Sequence, residues 1–366
     1  MKHSNLLLGW RSLPLLCGAG RGAWCMAAPR IAFFGTPAPA ADGVLTKLLQ
    51  STRVSVQAVV AQPARRAGRG RSTKHVSAVE RVAREAGFDE SDSSLLLPPS
   101  PSDGSLRDAL SDLPPLNACI TAAYGHLLPA DVLSVPSHGF VNLHPSLLPS
   151  LRGAAPVARA IEAGYSTTGV SLAFTVSRMD AGNVIAQRPM TLSDNDDTIS
   201  AMHSLFDDGG ELLLEHIDAI ADGSARSYAW EQDERQATFA NKLSKSEGVL
   251  DFSSLSAQQA HNRVRAFKGW PGSSSTFAVC SASTDAWESE VTLKILGTEP
   301  PGSRMCSQSS ASSRVALSND GSSLGVPCAD GNFLEVVELQ PPGKSAMEPK
   351  AFMNGLKGRY LRLPHR

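Results

Sequence analysis

The stretch "RIAFFGTPAPAADGVLTKLLQSTRVSVQAVVAQ", residues 30–62, decides the fold. It opens on a short apolar run, Arg30 to Gly35, which "TPAP" stops. From Asp42 to Gln50 the apolar residues Val44, Leu45 and Leu48 recur at helical spacing. From Val54 to Gln62 β-branched residues return. A helix between two strands is a crossover connection, and crossovers join parallel strands of one sheet. The pattern continues outward. A helical run at 76–88 is followed by strands at 117–125, 139–145 and 169–177, and residues 197–223 supply a closing helix pair or one interrupted helix. The expectation is an α/β protein with a doubly wound, mostly parallel Rossmann-like sheet.

At 366 residues the chain exceeds one ordinary core, so two domains are expected. After residue 223 short β-prone runs (274–280, 291–297 and 332–340) alternate with Gly, Pro and Ser turns, with one helical stretch at 256–267. That pattern fits a smaller C-terminal β-barrel of the oligonucleotide-binding (OB) type. The expected organisation is a leader at 1–29, a catalytic domain at 30–222, a linker at 223–238 and the barrel at 239–366. Residues 89–105 (acid, Ser and Pro) and the Ser-rich 303–323 read as surface insertions.

A net charge of −1 gives no global attraction to nucleic acid or membrane, so any such partner must meet a local patch. One candidate is "QPARRAGRGRSTK" (62–74), in which Arg65, Arg66, Arg69, Arg71 and Lys74 stand among glycines without an acid. It reads either as a solvated loop or as a flexible basic loop meeting a phosphate backbone. The segment after 238 is also rich in base, beginning with Lys242 and Lys245. Six scattered cysteines, with no CxxC pair and no His at ligand spacing, argue against a zinc site and a disulfide framework. The leader carries Lys2, Arg11 and Arg21, and the first acidic residue of the chain is Asp42. A basic, acid-free, Leu/Ala-rich start fits an organelle transit peptide.

Asn142 and His144 sit two apart where the fourth strand stops, and alternate residues of a strand share a face. Asp180, in "SRMDAG", follows the fifth strand. An amide donor beside an imidazole can cradle an oxyanion, and a carboxylate can orient the imidazole. The same residues also suit a strand cap. No GxSxG nucleophile elbow lies near them, which suits transfer to a nucleophile brought by the substrate. "FFGTP" has one glycine where a dinucleotide site wants three, so NAD is not expected.

"NLHPSLLPSLRGAAP" followed by "GVSL…MDAGNVI" resembles the formyltransferases that use 10-formyltetrahydrofolate. "FFGTP", "AAYGHLLP", "LSKSEGVLDF", "RAFKGWPG" and "LQPPGKSAM" are similar to the branch of that family that formylates methionyl-tRNA. The resemblance covers roughly residues 30–360. It implies an enzyme that takes folate co-substrate and charged initiator methionyl-tRNA, holds no metal, and acts as a monomer away from membranes. By the same resemblance Asn142, His144 and Asp180 are the catalytic set, and Ser146, Leu147, Leu148 and Pro149 bind the folate. Arg65, Arg66, Arg69 and Arg71 meet the tRNA acceptor end, and Lys242 and Lys245 belong to the barrel's basic face. Formylated initiators imply bacterial-type translation, so the leader would address a mitochondrion, or a plastid. The chain departs from the family where it has Ala38 and Pro39 for an Asp-Phe pair, and Ala64 for an Asp. The rivals are another 10-formyltetrahydrofolate-using transformylase or hydrolase, which has no use for the basic loop, and a non-catalytic RNA-binding relative.

Overall fold

The computed structural model describes residues 28–36, 40–67, 73–302 and 313–364. The leader up to residue 27, residues 37–39, Arg69 and Arg71 in the basic loop, and 303–312 of the Ser-rich segment lie outside the described residues. In chain order the elements up to the closing helix are β1 Arg30–Gly35, α1 Ala41–Gln50, β2 Ser55–Val60, β3 Arg65–Ala67, β4 Thr73–His75, α2 Ala78–Glu85 and β5 Leu95–Leu96. Then come α3 Ser105–Ser111, β6 Ala118–Ala122, α4 Ala130–Leu133, β7 Phe140–His144, β8 Arg152–Gly153, α5 Pro156–Glu162, β9 Thr167–Phe174, β10 Val184–Thr191 and α6 Thr198–Ala221.

Seven strands form one sheet in the order β10-β9-β7-β6-β1-β2-β5. The run from β5 to β7 is parallel throughout, and β9 lies antiparallel to β7. Ile31, Ala32, Phe33 and Phe34 of the central β1 are all fully buried. A strand covered on both faces has no solvent side, which is why its sequence is a continuous apolar run. β1 is flanked by β2 on one side and β6 on the other, so the order in which strands are added reverses there, and it is at the carboxyl ends of strands beside such a point that open sheets bind ligands.

Three elements differ from the sequence expectation. The closing helix is a single helix of 24 residues, with no break at Gly209-Gly210. A Cβ on Gly209 would lie 2.8 Å from a Leu143 methyl, and one on Gly210 2.7 Å from the Lys47 stem. The pair permits close approach to the sheet and to α1, at a cost of about 1 kcal/mol of helix propensity each. Residues 89–105 are not wholly a surface insertion, because Leu95 and Leu96 pair with Val59 and Val60 as the edge strand β5. The basic loop after β2 is in part a ribbon, with the backbone of Arg65 and Arg66 opposite His75 and Lys74.

The chain divides into two compact units. The first comprises the chain to Arg152, Gly169–Arg188 and His203–Ala237, and the second Gly153–Thr168, Pro189–Met202 and Thr238 onward. Residues 223–237, expected as a linker, are thus part of the first unit, where Val184 and Trp230 exchange backbone hydrogen bonds of 2.9 and 3.0 Å.

The second unit continues with β11 Phe239–Ala240, α7 Ala257–Ala266, β12 Ser273–Ser281, β13 Trp287–Glu299, β14 Ala316–Leu317, β15 Leu324–Pro327, β16 Phe333–Gln340, α8 Pro349–Gly355 and β17 Arg359–Arg362. Six of these strands form an antiparallel sheet in the order β14-β15-β16-β13-β12-β17. The sheet closes on itself. The Val315 amide donates to Leu361 O and the Leu363 amide to Ser313 O, both at 2.9 Å, which joins the chain just before β14 to β17. Closure removes the exposed edges of the open sheet. Phe277, Leu293, Ile295, Val326, Leu334 and Leu361 fill the interior, and α7 adds Ala260 and Val264. A polar clasp ties the segment before α6 to α7. Arg265 Nη1 donates to Ser193 O and Asp196 O at 3.0 and 2.7 Å, and His261 Nε2 lies 3.0 Å from Asp194 O.

Candidate active site

The carboxyl ends of β6 and β7 place Thr121 and Asn142 opposite each other in register. The Thr121 hydroxyl donates to Asn142 Oδ1 at 2.8 Å, which fixes the amide so that Nδ2 faces away from β6. That nitrogen donates to Asp180 Oδ1 at 3.3 Å. Two residues on, His144 is buried, with its Nδ1 3.7 Å from the same carboxylate oxygen. Its Nε2 lies 3.1 Å from Leu151 O. A carbonyl only accepts, so the proton sits on Nε2 and Nδ1 is the nitrogen that can take up another. The amide, the imidazole and the carboxylate therefore converge on one atom, Asp180 Oδ1.

Asp180 lies in the turn between β9 and β10, with a left-handed φ of 50°. The turn folds back tightly: a Cβ on Gly182 would stand 1.7 Å from Phe174 O, so no side chain fits there. The turn is held from outside by Gln232, whose Nε2 donates to Asp180 O at 2.9 Å and to Gly182 O at 2.7 Å. Gln232 Oε1 accepts from Arg152 Nε and Nη2 at 3.0 and 2.7 Å. Arg152 is itself buried, and its fork also reaches Glu234 at 3.0 and 3.1 Å. Burying a guanidinium requires such a carboxylate partner.

A cavity opens beside this set, lined by Asn142, Leu148, Ala173, Phe174, Thr175 and Asp180. His144 stands behind this wall and adjoins it through the Asp180 carboxylate. Of the four residues expected to hold a folate, Leu148 is on the wall. Ser146 is buried and its hydroxyl donates to Ser150 O at 2.6 Å, so it closes the turn rather than facing the cavity. Leu147 and Pro149 are half-buried in that turn. The turn is braced by Ser171, which accepts from the Leu148 amide at 3.0 Å and donates to Ser146 O at 2.6 Å, and by Gln187, which donates to Leu148 O at 2.8 Å. Sequence reasoning missed Thr121, Ser171, Gln187, Gln232 and Arg152 as supports. Arg152 alone carried a signal, as the one cation of the "RGAAP" entry.

Lys242 and Lys245 are exposed in the second unit. Burial pushes the Cys328 thiol up to about 12 and raises the Cys119 thiol as well, which leaves both unreactive. Among the described residues no group of three His, Cys, Asp or Glu side chains is arranged to hold a metal ion.

Such a set can steady a carbonyl oxygen as charge builds on it and move a proton alongside, which is the work of an acyl-group transferase. The chain belongs to the formyl transferase family: the family model "Formyl transferase" matches residues 29–217, and "Formyl transferase, C-terminal domain" matches 242–357. It is 37% identical over 334 residues to a methionyl-tRNA formyltransferase of Methylococcus capsulatus, covering 91% of this chain and 99% of the relative. The methionyl-tRNA formyltransferase of Roseiflexus castenholzii is 35% identical, over 90% of this chain and 96% of its own. Among solved structures, an N-formyltransferase from Helicobacter canadensis, in complex with folinic acid and dTDP-3-aminofucose, shares the fold with a TM-score of 0.58. It is 14% identical and covers 84% of this chain and 99% of its own. HypX from Aquifex aeolicus in complex with tetrahydrofolic acid aligns with a TM-score of 0.51 at 14% identity, over 90% of this chain and 47% of its own.

Proposed function

We infer that this chain transfers the formyl group of 10-formyltetrahydrofolate to the α-amine of charged initiator methionyl-tRNA. One observation carries the reading: Asn142 and Asp180 line one small cavity together with Thr175 and the apolar Leu148, Ala173 and Phe174. Such a mixed lining suits the reactive end of a donor, with its carbonyl at the polar groups. The relatives named methionyl-tRNA formyltransferase, matched along almost their whole length, support the acceptor.

The folate supplies an activated formyl group. Asn142, its Oδ1 held by Thr121 and one Nδ2 proton given to Asp180, presents the other Nδ2 proton to the oxygen on which negative charge grows. Asp180 keeps Asn142 and His144 in register, its Oδ1 facing both Asn142 Nδ2 and His144 Nδ1. The attacking α-amine has an ordinary pKa of about 7.7–8.0 and is partly neutral at working pH, so the site needs only a path by which the proton it sheds reaches the tetrahydrofolate nitrogen released as the donor's C–N bond to the formyl carbon breaks. The Asp180–His144 pair offers that path.

The basic ribbon and loop, with Arg65, Arg66, Arg69 and Arg71, would meet the acceptor end of the tRNA, and the barrel with Lys242 and Lys245 its backbone. Catalysis is thereby assigned to residues 30–222 and tRNA binding mainly to 239–366. The acid-free leader supports an address in a mitochondrion or a plastid, and we take the working form to be a monomer. Transfer of label from formyl-labelled folate to charged initiator tRNA, with the elongator tRNA as control, tests the function. Label passing instead to a small amine or to water would refute it. A fluorescent fusion of residues 1–40 that stays in the cytosol would refute the address.

A further inference from the structure

We propose that Gln232 is a positioning residue for the transfer reaction: its amide sets the backbone of the Asp180 turn, and Arg152 fixes that amide. The proposal rests on the reading of Asn142, His144 and Asp180 given above, and it names what holds them in register.

Asp180 must adopt a left-handed backbone, which costs a residue with a Cβ roughly 1–2 kcal/mol, and such a conformation persists only where its surroundings over-determine it. Gly182 gives the turn room but no hold. The hold comes from Gln232, buried, with both amide protons spent on carbonyl oxygens of that one turn, those of Asp180 and Gly182. An amide can be placed two ways round. Arg152 removes the ambiguity, because its Nε and Nη2 donate to Gln232 Oε1 and could not donate to the nitrogen. Glu234 in turn holds the Arg152 fork. The order of support runs Glu234, Arg152, Gln232, Asp180, and every link is a side chain within the first unit.

Gln232 does not line the cavity. It acts on the reaction through the position of one carboxylate oxygen, the one shared by Asn142 and His144. A displacement of a reacting group by about 1 Å can cost 10²-fold in rate.

Gln232→Glu has the same shape and strengthens the bond to Arg152, yet it turns a bare oxygen toward two carbonyl oxygens. In the purified full-length chain it is expected to lower kcat by up to about 10²-fold while leaving both KM values within a few-fold. The pH profile of kcat should lose the same limb that Asp180→Asn removes. In the Asp180→Asn background, adding Gln232→Glu should cost almost nothing further, because both act through one carboxylate. Gln232→Met, neutral and without a donor, runs through the same cycle and decides the matter should the Glu variant not fold. Undiminished kcat in either variant, or losses that multiply with Asp180→Asn, overturns the proposal. If wild type formylates a small amine rather than charged tRNA, the proposed acceptor fails and the cycle is run on that amine. A wild-type chain that formylates nothing overturns both readings.

Discussion

His144 and His261 are both buried histidines, and each is anchored at Nε2 by a backbone carbonyl, Leu151 O at 3.1 Å and Asp194 O at 3.0 Å. They differ at the other nitrogen. His261 Nδ1 meets the Thr298 hydroxyl at 2.8 Å, a neutral partner that completes its bonding. His144 Nδ1 stands 3.7 Å from a carboxylate that itself lines a cavity. A sealed neutral partner makes a clasp, whereas a charged partner with access to a ligand makes a place where a proton can come and go. Burial and a nearby Asp do not separate the two roles, since Asp194 neighbours His261 as well, offering its carbonyl in place of its carboxylate. What separates them is the atom that faces the second nitrogen.

The largest expected effect lies on the first histidine's side. His144→Ala and Asp180→Asn should each lower the rate of formyl transfer by about 10²–10³-fold, a loss of roughly 2.7–4 kcal/mol, and His144→Ala costs stability as well because the buried Leu151 carbonyl loses its imidazole partner. His261→Ala should cost stability alone, by about 1–3 kcal/mol because the Asp194 carbonyl and the Thr298 hydroxyl lose their partner, while kcat changes little. Denaturant midpoints and single-turnover rates on the same preparations test both. A His261 variant that loses rate but not stability would erase the contrast.

A smaller effect concerns pH. Burial holds the His261 imidazole below its usual 6.5 and Arg265 adds to this, against the raising influence of the Asp194 carbonyl and of the Asp194 and Glu299 carboxylates. A base with a depressed folded pKa takes up its proton first in the unfolded chain. Its contribution to stability is therefore complete above 6.5 and is lost as pH falls through the folded pKa. The melting temperature should decline as pH drops below 6.5, and His261→Gln should flatten that decline. The smallest effect belongs to the surface. Lys242→Ala and Lys245→Ala should each weaken tRNA binding modestly and reduce its salt slope by about 1, with kcat at saturation unchanged.

The sheet was legible wherever burial is two-sided. β1, β6 and most of β7 read as apolar runs because residues on both their faces are buried. β10 escaped because Gln187, Arg188 and Pro189 interrupt its pattern, which an edge strand tolerates. β5 escaped because two pairing residues carry no period. Asn142 and His144 were legible from their spacing on one strand, and Asp180 from its place after another. Gln232 was not, because a glutamine between acidic residues looks like solvated surface until a buried arginine is found behind it. Gly209-Gly210 looked like a helix break, because a sequence does not display what a glycine lies against.

The barrel's last seam has a genetic consequence. β17 and the residue after it hold both β12 and the chain before β14, so the ring is completed only by residues 359–363. A stop codon at Arg359 would leave the cavity set intact on paper while opening the barrel along two raw edges, which invite strand-to-strand aggregation. A frameshift just ahead of residue 359 should therefore yield a chain that aggregates although its cavity residues are all present.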